Sequence, residues 1–130
     1  AKALKLIEVT KLALENALKQ VKPGNTIGDI GHAIQKTVED AGFSTVRDLV
    51  GHGVGYAVHE DPNVPGYGTA GKGITLVENM VLAIEPMICE NKPKIFFDTD
   101  GWTIRTHDGG LAAHFEHTIA VTKNGMKILT

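Results

Sequence analysis

Three side chains in this sequence could together hold a hard cation: His52 in Gly51-His52-Gly53-Val54-Gly55, Glu85 in Ile84-Glu85-Pro86, and Glu116 in Phe115-Glu116-His117-Thr118. One imidazole and two carboxylates form an oxygen-rich donor set that suits manganese, iron, cobalt or zinc, and two carboxylates can bridge a pair of such ions. The chemistry this set would serve is metal-assisted hydrolysis. The neighbours support that reading more than the spacing does. A glycine on each side of His52 leaves no Cβ to obstruct a substrate or a second strand. Pro86 biases Glu85 toward extended backbone, so its carboxylate should leave a strand or a strand end and not a helix. Glu116 falls in the apolar run 115–121, where a buried carboxylate is costly unless a cation or a hydrogen-bond donor compensates it.

Other chemistries fare less well. The glycines around His52 resemble a phosphate-binding loop, but the full GxGxxG pattern and a following helix are missing, which excludes dinucleotide binding. Cys89 has no base beside it and reads as a small buried apolar residue, not a nucleophile. His32 and His107 read as solvated, and His117 should face away from Glu116 across the strand pleat.

These side chains need elements to position them. Leu4, Ile7, Leu14, Leu18 and Val21 recur at helical spacing, which predicts a helix near 2–21 with these five on its buried stripe. Lys22-Pro23-Gly24-Asn25 breaks it, and Thr26 followed by Asp29 is an N-cap signature for a second helix over 27–41. That helix should bury Ile27, Ile30, Ile34 and Val38 and close at Gly42. From Phe43 the pattern turns β-like, with runs at 74–77, 80–88, 94–97, 102–106, 112–121 and 126–129, and with 61–73 as a loop. Asn124-Gly125 is a hairpin signal, and Asp108-Gly109-Gly110 is a turn signal. Two helices followed by antiparallel strands give an α+β fold, in one domain spanning 1–130.

Composition narrows the partners. A formal net charge of −2 offers no basic footprint for nucleic acid. No apolar run approaches the length needed to span a bilayer. One cysteine precludes an internal disulfide and, with no signal peptide ahead of the first helix, leads to the expectation of a cytoplasmic protein.

His52 in GHGVG, His59-Glu60-Asp61-Pro62, Glu85 in IEPM, Gly101-Trp102 and the final FEHT, in that order, resemble the C-terminal half of a type I methionine aminopeptidase of the pita-bread metallopeptidase fold. The resemblance runs over essentially the whole chain but covers about half of the family's catalytic domain. It implies a site of two divalent ions (cobalt, manganese, iron or zinc) with His52, Glu85 and Glu116 as ligands. Glu116 corresponds to the bridging carboxylate, and Glu85 to the ligand that also shuttles a proton. His59 corresponds to the residue that contacts the scissile amide of the substrate. Trp102 either lines the pocket for a methionine side chain or is a plain hairpin aromatic. His114 stands where the family more often has glutamine.

The family's two further ligands are aspartates on a hairpin ahead of the first helix. This sequence has no such hairpin, and Asp29, Asp40 and Asp48 fall in or just after the second helix. The expectation is therefore a fragment or split chain whose N-terminal half, or a second copy, completes the domain, and which can be inactive alone. The substrate would be the N-terminus of a peptide or nascent chain. Two rivals stay open: an Xaa-Pro aminopeptidase or prolidase of the same fold, and a non-catalytic pita-bread binding module.

Overall fold

The computed structural model describes residues 1–130. Two helices, α1 (Lys2–Leu18) and α2 (Ile27–Asp40), precede ten short strands: β1 (Ser44–Thr45), β2 (Gly51–Gly53), β3 (Glu60–Val64), β4 (Val81–Ile84), β5 (Met87–Cys89), β6 (Ile95–Phe97), β7 (Ile104–Thr106), β8 (Ala112–His114), β9 (His117–Thr122) and β10 (Gly125–Ile128). All pairings are antiparallel, in a five-stranded sheet ordered β10-β9-β4-β2-β3, a three-stranded sheet β1-β5-β8 and the hairpin β6-β7. The α+β expectation holds.

The second helix forms as its sequence dictates. Thr26 and Asp29 make a reciprocal capping box, with the Asp29 amide donating to the Thr26 hydroxyl and the Thr26 amide donating to the Asp29 carboxylate. Gly71 also donates its amide to Asp29, and these backbone donors hold the Asp29 carboxyl below the ordinary aspartate range. Ile27, Ile30, Ile34 and Val38 are all buried, and Gly42 takes the left-handed φ of +84° after the helix.

The first helix departs from the predicted stripe. Leu4 and Ile7 are exposed, and the buried face is Leu6, Thr10, Ala13, Leu14, Ala17 and Leu18. Small residues decide this. Ala13, Ala17 and Thr10 place little bulk on the core-facing side of α1, and Thr10 can be buried because its hydroxyl donates to the Leu6 carbonyl.

The strands differ where backbone groups find other partners. Residues 74–77 make only a bridge between Thr75 and Thr26. Residues 72–74 instead accept from the first turn of α2, through Ile27 N–H to Ile74 O and Gly28 N–H to Lys72 O, satisfying amides that a helix start leaves free. The start of the predicted 61–73 loop belongs to β3, an edge strand. The long runs 80–88 and 112–121 are each broken in two. β4 lies in the five-stranded sheet and β5 in the three-stranded one, and β9 and β8 divide in the same way. The β9-β10 turn sits one residue earlier than Asn124-Gly125, since Gly125 already pairs with Thr122.

Candidate metal centre

Both strand breaks occur at the same level, and each break carries a glutamate. Ile84 pairs with His117 on one side and Met87 with His114 on the other, in an unbroken register, so Glu85 falls opposite Glu116 where the two sheets part. Pro86 accepts from the Phe115 amide between them. The expectation of a buried Glu116 fails here. The strand does not run on through residue 116, and the side chain emerges exposed at the open corner. Glu85, at the end of β4, keeps a side chain only 13% exposed.

His52 arrives from β2, which pairs with β4 through His52 and Ala83. The flanking glycines are required by close backbone approach: a Cβ on Gly51 would meet the Ala83 carbonyl at 2.3 Å, and one on Gly53 the Asp61 carbonyl at 2.1 Å. The result is a group in which ligand atoms of His52, Glu85 and Glu116 all lie within 4.8 Å of one another. The sequence-predicted ligands therefore converge.

Their hydrogen bonding fits a cation. His52 Nδ1 lies 2.8 Å from the Gly53 carbonyl, which can only accept, so this nitrogen carries a proton. In a neutral ring Nε2 is then a lone pair, and it faces Glu85 Oε1 at 3.3 Å. Two acceptors point at each other, and across the corner a second carboxylate stands opposite the first. A divalent ion resolves both conflicts, and a carbonyl fixing the tautomer of a ligand histidine is the usual support for such an ion.

His59 lies beside this group, its ring centroid 4.1 Å from that of His52 with the planes tilted by 46°. His52, His59 and Glu85 line one side of a cleft of about 610 Å³, and Leu49, Val50, Met87, Ile95 and Ile104 supply apolar walls. That size and lining suit a small side chain or ligand. A second hollow of about 520 Å³ between α1 and α2 gathers Lys19, Asp29, His32 and Lys36 but no ligand cluster. Trp102 is elsewhere. It stands 86% exposed in the β6-β7 connection and does not line the cleft, so within this chain it behaves as the hairpin aromatic.

One site residue was missed by sequence reasoning. His114 Nε2 lies 3.3 Å from Glu85 Oε2, and this contact outweighs burial to raise the His114 pKa above the ordinary histidine range. Its signal was its place two residues before Glu116, on the same face of an extended segment. His117 packs inward with a buried Nδ1 that takes no hydrogen bond within the chain. Cys89 is buried with its sulfur within reach of the Ser44 and Lys92 carbonyls, either of which can accept its one proton, and burial pushes its pKa up, as suits an inert thiol.

The sequence model of metallopeptidase family M24 matches residues 1–123. Methionine aminopeptidase A of Synechocystis is 53% identical over 128 residues, covering 98% of this chain and 51% of its own length. The crystal structure of methionine aminopeptidase from Thermotoga maritima superposes with a TM-score of 0.97 at 52% identity, over 99% of this chain and 52% of that one. The prolidase of Pyrococcus horikoshii matches at 31% identity with a TM-score of 0.71, over 98% of this chain and 31% of that one. The chain spans about half the length of the curated relatives it matches.

Proposed function

Since this chain belongs to metallopeptidase family M24, and its fold is half of the pita-bread fold of those enzymes, we propose that it is the C-terminal half of a methionine aminopeptidase domain. In this reading it takes part in removing N-terminal methionine from peptides and nascent chains in the cytoplasm. The observation that carries the reading is the convergence of His52, Glu85 and Glu116 within 4.8 Å. These three would hold two divalent ions, of cobalt, manganese, iron or zinc, together with two carboxylates from the N-terminal half of the domain. When bound, such ions supply Lewis acidity and bring the pKa of a water toward neutrality.

The chain's own groups do the rest. Glu85 is held at the end of β4 with its carboxylate facing the cluster, where it takes a proton from the attacking water and hands it to the leaving amine. His59, its ring beside that of His52, donates a hydrogen bond to the scissile carbonyl as charge builds on its oxygen. Leu49, Val50, Met87 and Ile95 exclude water from the cleft and receive an apolar side chain. The higher identity to methionine aminopeptidases than to prolidases favours the first substrate class.

The test supplies the N-terminal half of the domain in trans, saturates with Mn²⁺ or Co²⁺, and compares Met-Ala-X with X-Pro peptides. Turnover confined to the methionine peptides is expected. Preference for X-Pro would make the protein a prolidase. No saturable metal binding by the combined halves would leave a binding module.

A further inference from the structure

We propose that His114 is a positioning residue for Glu85, an assignment that rests on the metal reading above. Glu85 is the joint between the two sheets, and each of its oxygens meets an imidazole from a different one. Oε1 lies 3.3 Å from His52 Nε2, from β2 in the five-stranded sheet, and Oε2 lies 3.3 Å from His114 Nε2, from β8 in the three-stranded sheet. The two contacts are not equivalent. His52 belongs to the group whose ligand atoms converge within 4.8 Å, and His114 does not. The contact between His52 Nε2 and Glu85 Oε1 is a meeting of two acceptors and so of two ligands, not a hydrogen bond that could hold the carboxylate. His114 then remains as the donor that ties down the other oxygen of a carboxylate only 13% exposed.

Its place is built by the backbone. Met87 pairs with His114, and Phe115 donates to Pro86, so the end of β8 is fixed against the Glu85-Pro86 corner by main-chain bonds on both sides of the histidine side chain. His114 is itself about half exposed, so little packing depends on it. Its role is directional: Nε2–H donating to Oε2 sets the carboxylate plane and leaves Oε1 turned to His52 and the ion site. Hydrogen bonds of this kind to a ligand's far atom typically tune metal affinity by 10–100-fold.

Co²⁺ titration of the chain combined with the N-terminal half of the domain, read by calorimetry and by visible absorption, tests this with His114→Ala, His114→Gln and His114→Phe. Alanine, and phenylalanine with ring volume but no donor, should each weaken Co²⁺ binding by roughly 10–100-fold, and glutamine, whose amide still donates, should recover most of the loss. Absorption bands at saturation should coincide in all four proteins, because the ligand set is unchanged, and urea midpoints without metal should stay close to the parent. Affinity in the alanine and phenylalanine variants equal to the parent overturns the assignment alone. Shifted bands that glutamine does not restore would make His114 a ligand and overturn it too. Failure of the combined parent halves to bind Co²⁺ overturns the metal reading underneath, and the His114 assignment with it.

Discussion

Glu116 shows what the proposed ion site would cost the chain that carries it. Its carboxylate stands opposite that of Glu85 in an unbroken antiparallel register, and like charges directly opposite across strands are destabilising. Replacing Glu116 with glutamine keeps the shape, removes one charge and relieves that repulsion. Without metal, Glu116→Gln should therefore be as stable as the parent or more so, by up to about 1 kcal/mol in urea denaturation. The same variant should lose most of its Co²⁺ affinity, because the remaining donors are one imidazole and one carboxylate. A variant less stable than the parent without metal would show that Glu116 works as a structural side chain and not as a ligand.

The elements explain which residues were legible in the sequence. His52, Glu85 and Glu116 announce themselves through rare neighbours, two glycines, a proline and an aromatic, because each sits where backbone must bend or approach closely. Helix α2 was readable end to end, since its cap, its buried stripe and its closing glycine are all local signals. Strand β2 was not. It is three residues long, two of them glycines, and it exists because its neighbours close around it. Nor was the change of sheet within 80–88 and 112–121: Glu85-Pro86 and Glu116 interrupt both runs, but nothing local says that the residues on either side pair in different sheets. For the same reason His114 read as unremarkable: its contact with Glu85 is made across sheets. Gly53→Ala tests the fit of β2. A Cβ there meets the Asp61 carbonyl, so β2 and β3 must separate, at a cost of about 1–3 kcal/mol, and His52 must move with them. Stability and Co²⁺ affinity should fall together. Gly125→Ala, where a Cβ meets nothing within 4 Å, should change stability by less than about 0.5 kcal/mol and leave metal binding intact.

At the scale of the whole molecule, one group of apolar side chains left outside the core lies on the β6-β7 hairpin beside the cleft. Phe97, Trp102 and Ile104 on the β6-β7 hairpin are 62%, 86% and 40% exposed, while Ile95 and Ile104 of the same hairpin reach the cleft wall. Phe97 and Ile104 are direct cross-strand partners, and exposed apolar residues side by side in this way suit a face that another surface covers. In the reading of a half domain, that surface is the N-terminal half, and Trp102 reports on its arrival because it is the single tryptophan of the chain. The isolated chain should emit with the long-wavelength fluorescence of a solvated indole. Adding the N-terminal half should move the emission to shorter wavelength, in proportion to complex formed and in step with the rise in Co²⁺ affinity that two further carboxylates confer. An affinity gain with unmoved emission would leave Trp102 a solvated hairpin residue in the assembled domain, with no part in the methionine pocket, and would assign the apolar selectivity to Leu49, Val50, Met87 and Ile95.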